Sequence, residues 1–181
     1  MPDSLCYGLY EVKIININVS NPIQTAQFAA IGSAVLLAGA FVFEALGYAP
    51  CQMCLWQRYP HAIAIIVGLA LIAFTNRWLI GLGAIATLTT AVTGIFHSGV
   101  EQKWWNGPSS CTGNGSGLSN LSGADLLNTD VIDKVVMCDQ ISWAFIGLSM
   151  PTWNAIFSIF LALIWTVALR SSKPAKLSSL N

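Results

Sequence analysis

Two cysteines separated by two residues, Cys51-Gln52-Met53-Cys54, stand between Pro50 and the run Leu55-Trp56-Gln57-Arg58. Thiols at this spacing close a small, readily exchanged disulfide, and an arginine four residues after the second can help hold a thiolate there. The pair alone fits a redox dithiol, half of a zinc site or a structural disulfide, so its surroundings decide. Cys6, Cys111, Cys138, His61, His97 and Glu44 complete the set of side chains with candidate chemistry.

The elements that position them are membrane helices. Only 9% of the 181 residues are charged, and the mean hydropathy is +0.64, which excludes an ordinary soluble domain. Charge is absent from Ile14 to Phe43, Tyr59 to Asn76, Trp78 to Val100 and Gln140 to Leu169. About 20 apolar residues cross a bilayer as a helix, so each interval supplies one span. The expected spans are Thr25 to Leu46, Pro60 to Phe74, Trp78 to Phe96 and Trp153 to Leu169. The second is short and reaches full length only if the Trp56 to Tyr59 turn joins it. A signal-peptide reading of the first span fails because its apolar core is too long, begins late and follows no basic cluster. Pro50 likewise occupies the place where a lipoprotein reading of Cys51 would need a small residue.

Basic residues orient the bundle. Lys13, Arg77, Arg170, Lys173 and Lys176 fall on one side, and Arg58, Lys103 and Lys134 on the other. The excess places both termini in the cytoplasm. The fold class is therefore an all-α four-transmembrane-helix bundle. Residues 1–20 form a cytoplasmic N-terminal segment, 21–170 the membrane domain and 171–181 a cytoplasmic tail. Periplasmic loops cover about 47–58 and 98–152. Within the longer loop, Asn106 to Ser122 is rich in Gly, Ser and Asn around Cys111, as expected of a mobile segment. Gly123 to Val136 follows a helical amphipathic pattern that predicts a short interfacial helix leading to Cys138.

This topology sorts the thiols. Cys51, Cys54, Cys111 and Cys138 lie on the outer, oxidising side, whereas Cys6 lies inside as a simple thiol. Four outer thiols allow three pairings, and the sequence selects none. If Cys54 opens a helix, its sulfur meets the positive end of the helix dipole, and Arg58 points along the same face, both favouring thiolate. Pro60 disfavours a helical Tyr59 and raises the alternative that Arg58 only snorkels to the interface. His61 and His97, both toward the outer face, read first as interfacial hydrogen-bonding groups, with a haem-ligand pair as the alternative. Glu44 near the end of span one reads first as structural. A zinc site from all four cysteines is disfavoured by the wide separation of Cys111 and Cys138, so no metal is expected.

In order along the chain, Pro50-Cys51-Gln52-Met53-Cys54 with Gln57-Arg58, His97 ending span three, the pair Cys111 and Cys138, and Phe145-Ile146-Gly147-Leu148-Ser149-Met150-Pro151-Thr152-Trp153 resemble the bacterial disulfide bond formation protein B (DsbB) family of inner-membrane thiol oxidases. The likeness runs from span one to span four; the stretch around Cys6 has no counterpart in it. The resemblance implies a quinone-dependent relay that reoxidises a periplasmic thioredoxin-fold oxidase (DsbA-like). Cys111 would take the partner's attack with Cys138 as companion, and Cys51 and Cys54 would carry the electrons onward. Cys54 would contact ubiquinone or menaquinone, with Arg58 supporting its charge and His97 beside the ring. The expected partners are that oxidase, the quinone and the lipid bilayer, with no nucleic acid. Rival readings are a vitamin K epoxide reductase-like oxidoreductase, a haem-carrying electron carrier using His61 and His97, and a protein with purely structural cysteines.

Overall fold

The computed structural model describes residues 21–108, 111 and 137–172. The segment before Asn21 with Cys6, most of the Asn106 to Ser122 loop and the surface helix expected over Gly123 to Val136 lie outside these residues. Four helices among them are long and apolar enough to cross a membrane: α1 (Pro22–Ala45), α2 (Gln52–Ala73), α3 (Arg77–Glu101) and α4 (Met150–Ser171). Each starts and stops for local reasons. The Asn21 side chain accepts the Ile23 N–H at 3.1 Å with Pro22 in the first turn, and Asn76 accepts the Trp78 N–H at 3.0 Å. Gly47, at φ +98°, reverses the chain after α1 at little steric cost.

One boundary differs from the sequence expectation in a way that matters. Helix α2 begins at Gln52 rather than Pro60 and runs through the proline. Pro60 cannot donate to the Trp56 carbonyl, but it is buried inside the bundle, where surrounding helices sustain such interruptions. Cys54 and Arg58 therefore share one continuous helix. Helices α3 and α4 also reach farther toward the cysteines than expected, to Glu101 and from Met150.

The helices form a closed ring in which α1 packs on α2, α2 on α3, α3 on α4 and α4 back on α1. Lipid offers apolar side chains as good a home as the bundle does, so close approach of small residues does most of the joining. The tightly packed end collects Ala26, Ala29 and Ala30 with Leu71, Ile80, Trp165 and Ala168. Trp165 is fully buried over Gly83, where an added Cβ would lie 2.6 Å from the indole. Large side chains such as Ile31, Ile66, Leu88 and Leu163 point outward to the lipid. Before α4, strands β1 (Ala144–Phe145) and β2 (Leu148–Ser149) pair antiparallel through a turn with Ile146 at φ +53° and Gly147 at φ +75°. Positive φ at both central residues matches the strand twist, although Ile146 is a β-branched residue in a region that such residues rarely adopt.

A leucine at position 83 should force α3 away from Trp165 at a cost of about 1–3 kcal/mol. Gly83→Leu is expected to lower the thermal midpoint in detergent by several degrees, while Gly81→Leu, with nothing within 4 Å, should leave it near wild type. Equal midpoints for the two would contradict this packing.

Candidate functional site

At the end of the bundle opposite Trp165, the sequence turns α2 into a sulfur-capped helix. Cys51 is the N-cap, and its Sγ accepts the Cys54 N–H at 3.3 Å. The same sulfur lies 3.1 Å from Cys54 Sγ. A thiol does here what Ser or Asp does at most helix starts, so capping and redox geometry coincide in one atom. Cys51 is buried and Cys54 is half-buried beside it.

The remaining two outer cysteines come to this point. Cys138 donates its backbone N–H to the Cys111 carbonyl at 2.8 Å, and the Cys138 thiol hydrogen-bonds both the Cys111 and the Cys51 thiols. Its sulfur also takes the Met53 backbone N–H. Cys51, Cys111 and Cys138 form one buried cluster with Met53 and Val100, and Cys54 packs against it. The contacts thus run in the order Cys111, Cys138, Cys51, Cys54. The sequence suggests an accessible Cys111 on a mobile loop, but the structure buries it, leaving 1% exposed. Asp139, next to Cys138, is tied to Lys103 at the end of α3 by a 2.5 Å ion pair, which is exposed and therefore weak.

Hydrogen bonding and burial hold protons on two of these sulfurs. The Cys138 bond pulls the Cys51 pKa down, but the Cys54 bond, burial and the neighbouring Cys54 charge outweigh it, so Cys51 is pushed up to about 12. The bond to Cys51, together with burial, keeps Cys138 above the ordinary thiol range as well.

His97 on α3 sits against the pair, its Nε2 3.5 Å from Cys51 Sγ and its Nδ1 3.0 Å from Gln57 Nε2. Gln57 continues to Asn154 on α4 at 2.6 Å, and Asn154 to His61 at 3.0 Å, with Thr90 bridging from α3. Both His97 nitrogens are engaged, which argues against a haem-ligand pair, and His61 Nε2 faces Asn154. Arg58 lines the same region, yet its hydrogen bonds go to Glu44 at 2.6 Å and the Ala40 carbonyl at 3.4 Å. Its guanidinium also lies 4.8 Å over the Phe41 ring, and its Nε is buried without a partner. Glu44 is thus the counter-ion of Arg58. The charge of Arg58 lies near Cys54 by helix position, not by contact with a sulfur.

Beside Cys51 and Cys54 lies an apolar cavity of about 510 Å³. Arg58, His61, His97 and Glu101 also line it, as do Val35 and Phe157, which are exposed on the outer faces of α1 and α4. The cavity therefore opens on the lipid-facing surface. Trp143, Phe145, Trp153 and Phe157 follow one another around it with ring centroids 5.7 to 6.3 Å apart.

Three participants escape the sequence reading. Glu101 is buried, hydrogen-bonded to Ser149, close enough to act electrostatically on Cys54, and has Oε2 unpartnered. Its signal was available, since it lies one helical turn beyond His97. Asn154 and the connecting role of Gln57 depend on which helices meet, which the sequence does not reveal.

Fold and site together define a four-helix membrane protein with a buried relay of thiols beside a lipid-accessible cavity. The sequence model described as "Disulfide bond formation protein DsbB" matches residues 23–168. Proteins named "Disulfide bond formation protein B" are 34% identical in Xylella fastidiosa (strain 9a5c), over 65% of this chain and 72% of that one. One in Xanthomonas oryzae pv. oryzae is 32% identical over 75% and 81%, and one in Paracidovorax citrulli 27% over 83% and 89%. No solved structure matches the chain. The chain belongs to the DsbB family. It is a multi-pass inner-membrane disulfide oxidoreductase that serves disulfide bond formation.

Because only thiolate is alkylated, the reactive fraction of Cys51 in the reduced protein falls tenfold for each pH unit below about 12. Iodoacetamide labelling of Cys51, followed by peptide mass spectrometry, should keep rising through pH 10. A plateau near pH 9 would contradict the hydrogen-bonded cluster.

Proposed function

We propose that the protein reoxidises a periplasmic thioredoxin-fold disulfide donor (DsbA-like) and passes the electrons through two cysteine pairs to a membrane quinone. The observation that carries this reading is the unbroken order of contacts from Cys111 through Cys138 and Cys51 to Cys54, ending at an apolar cavity open to lipid. Charge distribution supports periplasmic cysteines and cytoplasmic termini.

The chemistry balances as successive disulfide exchange. A partner thiolate attacks Cys111 of the Cys111–Cys138 disulfide, forming a mixed disulfide and releasing Cys138. The partner's second thiol displaces Cys111, so the partner leaves oxidised and Cys111 and Cys138 remain reduced. Cys138 then attacks Cys51 of the Cys51–Cys54 disulfide and Cys54 leaves as thiolate. Cys111 attacks Cys138, restoring the loop disulfide and leaving Cys51 and Cys54 reduced. Two electrons and two protons have moved inward. The inward order suits the geometry, because Cys138 already touches both neighbours.

A quinone bound in the cavity would supply the acceptor for those two electrons and two protons. The residues present fit such a group: the walls are apolar and aromatic, the volume lies within the roughly 300–1,000 Å³ usual for small-molecule sites, and three cavity residues carry unpartnered polar atoms, Arg58 Nε, His61 Nδ1 and Glu101 Oε2. Cys54 faces this cavity, Arg58 and His97 flank it, and Glu101 lines it with a carboxylate oxygen that has no partner. The acceptor also settles the energetics. A strongly oxidising partner is reoxidised uphill by an ordinary thiol pair, at about 1.4 kcal/mol for each 30 mV, unless a further acceptor draws the electrons on.

Purified protein with ubiquinone or menaquinone analogues is expected to oxidise a reduced thioredoxin-fold partner catalytically. Cys54→Ser and Cys111→Ser should each lower turnover by about 100-fold or more, since each removes an obligatory sulfur. Retained turnover in either variant would overturn the relay.

A further inference from the structure

The buried polar chain behind the cysteines has a fixed direction, and that direction decides what His97 can do. Gln57 Nε2 lies 3.3 Å from the Met53 carbonyl, which only accepts hydrogen bonds, so the amide NH2 must face it. The other end of the amide, Oε1, accepts from Asn154 Nδ2 at 2.6 Å. The second N–H of Gln57 therefore points at His97 Nδ1, 3.0 Å away. Two donors cannot face each other, so Nδ1 holds a lone pair and the ring proton sits on Nε2. That nitrogen is the one 3.5 Å from Cys51 Sγ, and its N–H is shared with the Cys138 backbone carbonyl, which also accepts from His97.

Cys51 Sγ, Cys54 Sγ and a His97 nitrogen all lie within 4.8 Å of one another, a set that could hold a metal ion. Two thiolates and an imidazole suit zinc or cadmium, which take ligand atoms at about 2.0–2.5 Å. An imidazole ligates through a lone pair, however, and the nitrogen facing the sulfurs carries the proton. We propose that Gln57 is a positioning residue that locks His97 as an Nε2–H donor to the Cys51 sulfur and so keeps Cys51, Cys54 and His97 from closing on a soft divalent cation. The donor serves the exchange chemistry directly. When Cys111 displaces Cys51 from Cys138, the sulfur that leaves as thiolate finds the Nε2–H 3.5 Å away. That benefit rests on the relay proposed above; the tautomer and the metal exclusion do not.

A carboxylate at position 57 reverses the logic. It accepts the Nδ1–H, leaves the Nε2 lone pair facing the sulfurs and creates the carboxylate–histidine–metal arrangement, in which the outer partner is worth about 10- to 100-fold in affinity. The test uses the full chain, reduced in detergent. Histidine ¹⁵N spectra report the His97 tautomer, with His97→Ala assigning the signal. Cadmium titration read by sulfur-to-metal absorption, together with zinc competition against a chromophoric chelator, reports affinity. The expected results are Nε2–H in the wild type and cadmium and zinc binding tighter by about 10- to 100-fold in Gln57→Glu, with the gain abolished in Gln57→Glu/His97→Ala. Nδ1–H in the wild type, or equal affinity in wild type and Gln57→Glu, would overturn the proposal. If Gln57→Glu does not fold, Gln57→Leu removes the donor to Nδ1 and should populate the Nδ1–H tautomer; an unchanged tautomer there would overturn it equally.

Discussion

The arrangement depends on the Cys51 sulfur. It caps α2 by accepting the Cys54 N–H, lies 3.1 Å from the Cys54 sulfur, faces His97 and hydrogen-bonds Cys138. An N-cap side chain satisfies a backbone donor that has no partner within the helix, and here it is the sulfur that does so. Using a redox sulfur there fixes its position relative to three elements at once. It also fixes depth, because α2 runs into the bilayer from that point and the neighbouring cavity opens on the lipid face.

Around this atom the bundle is divided by function. The end near Trp165 is joined by alanines and glycines, whose small size allows close helix contact. Toward the cysteines, the interior carries Thr90, His61, Gln57, Asn154 and His97 in a continuous hydrogen-bonded chain that spans α2, α3 and α4. Polar groups removed from water are costly unless paired, so this chain ties three helices together and orients the imidazole at the cysteine end. Arg58 and Glu44 do the corresponding work between α2 and α1.

Much of this was legible in the residues, and for identifiable reasons. Long charge-free intervals give membrane spans directly, because the bilayer penalises charge strongly, and those spans place Cys51 and Cys54 where their spacing reads as a redox pair. Pro60 misleads, since its local preference to start a helix yields to packing that buries it within one. The Gly- and Ser-rich setting of Cys111 suggests exposure, but the turn it forms with Cys138 places it against α2. Long-range pairing is what sequence periodicity omits. Gln57 reads as a neutral neighbour of Arg58 until α3 and α4 are seen to bring His97 and Asn154 to it, and Glu101 reads as the charged end of a span until its burial is known.

The central claim is that Cys138 bridges the two cysteine pairs by direct contact with Cys51. It is tested most directly in the Cys54→Ser/Cys111→Ser double variant, in which only these two thiols of the cluster remain. After mild oxidation, peptide mass spectrometry should find Cys51 and Cys138 joined by a disulfide in most molecules. Thiols at both positions in the folded, oxidised protein would contradict the relay.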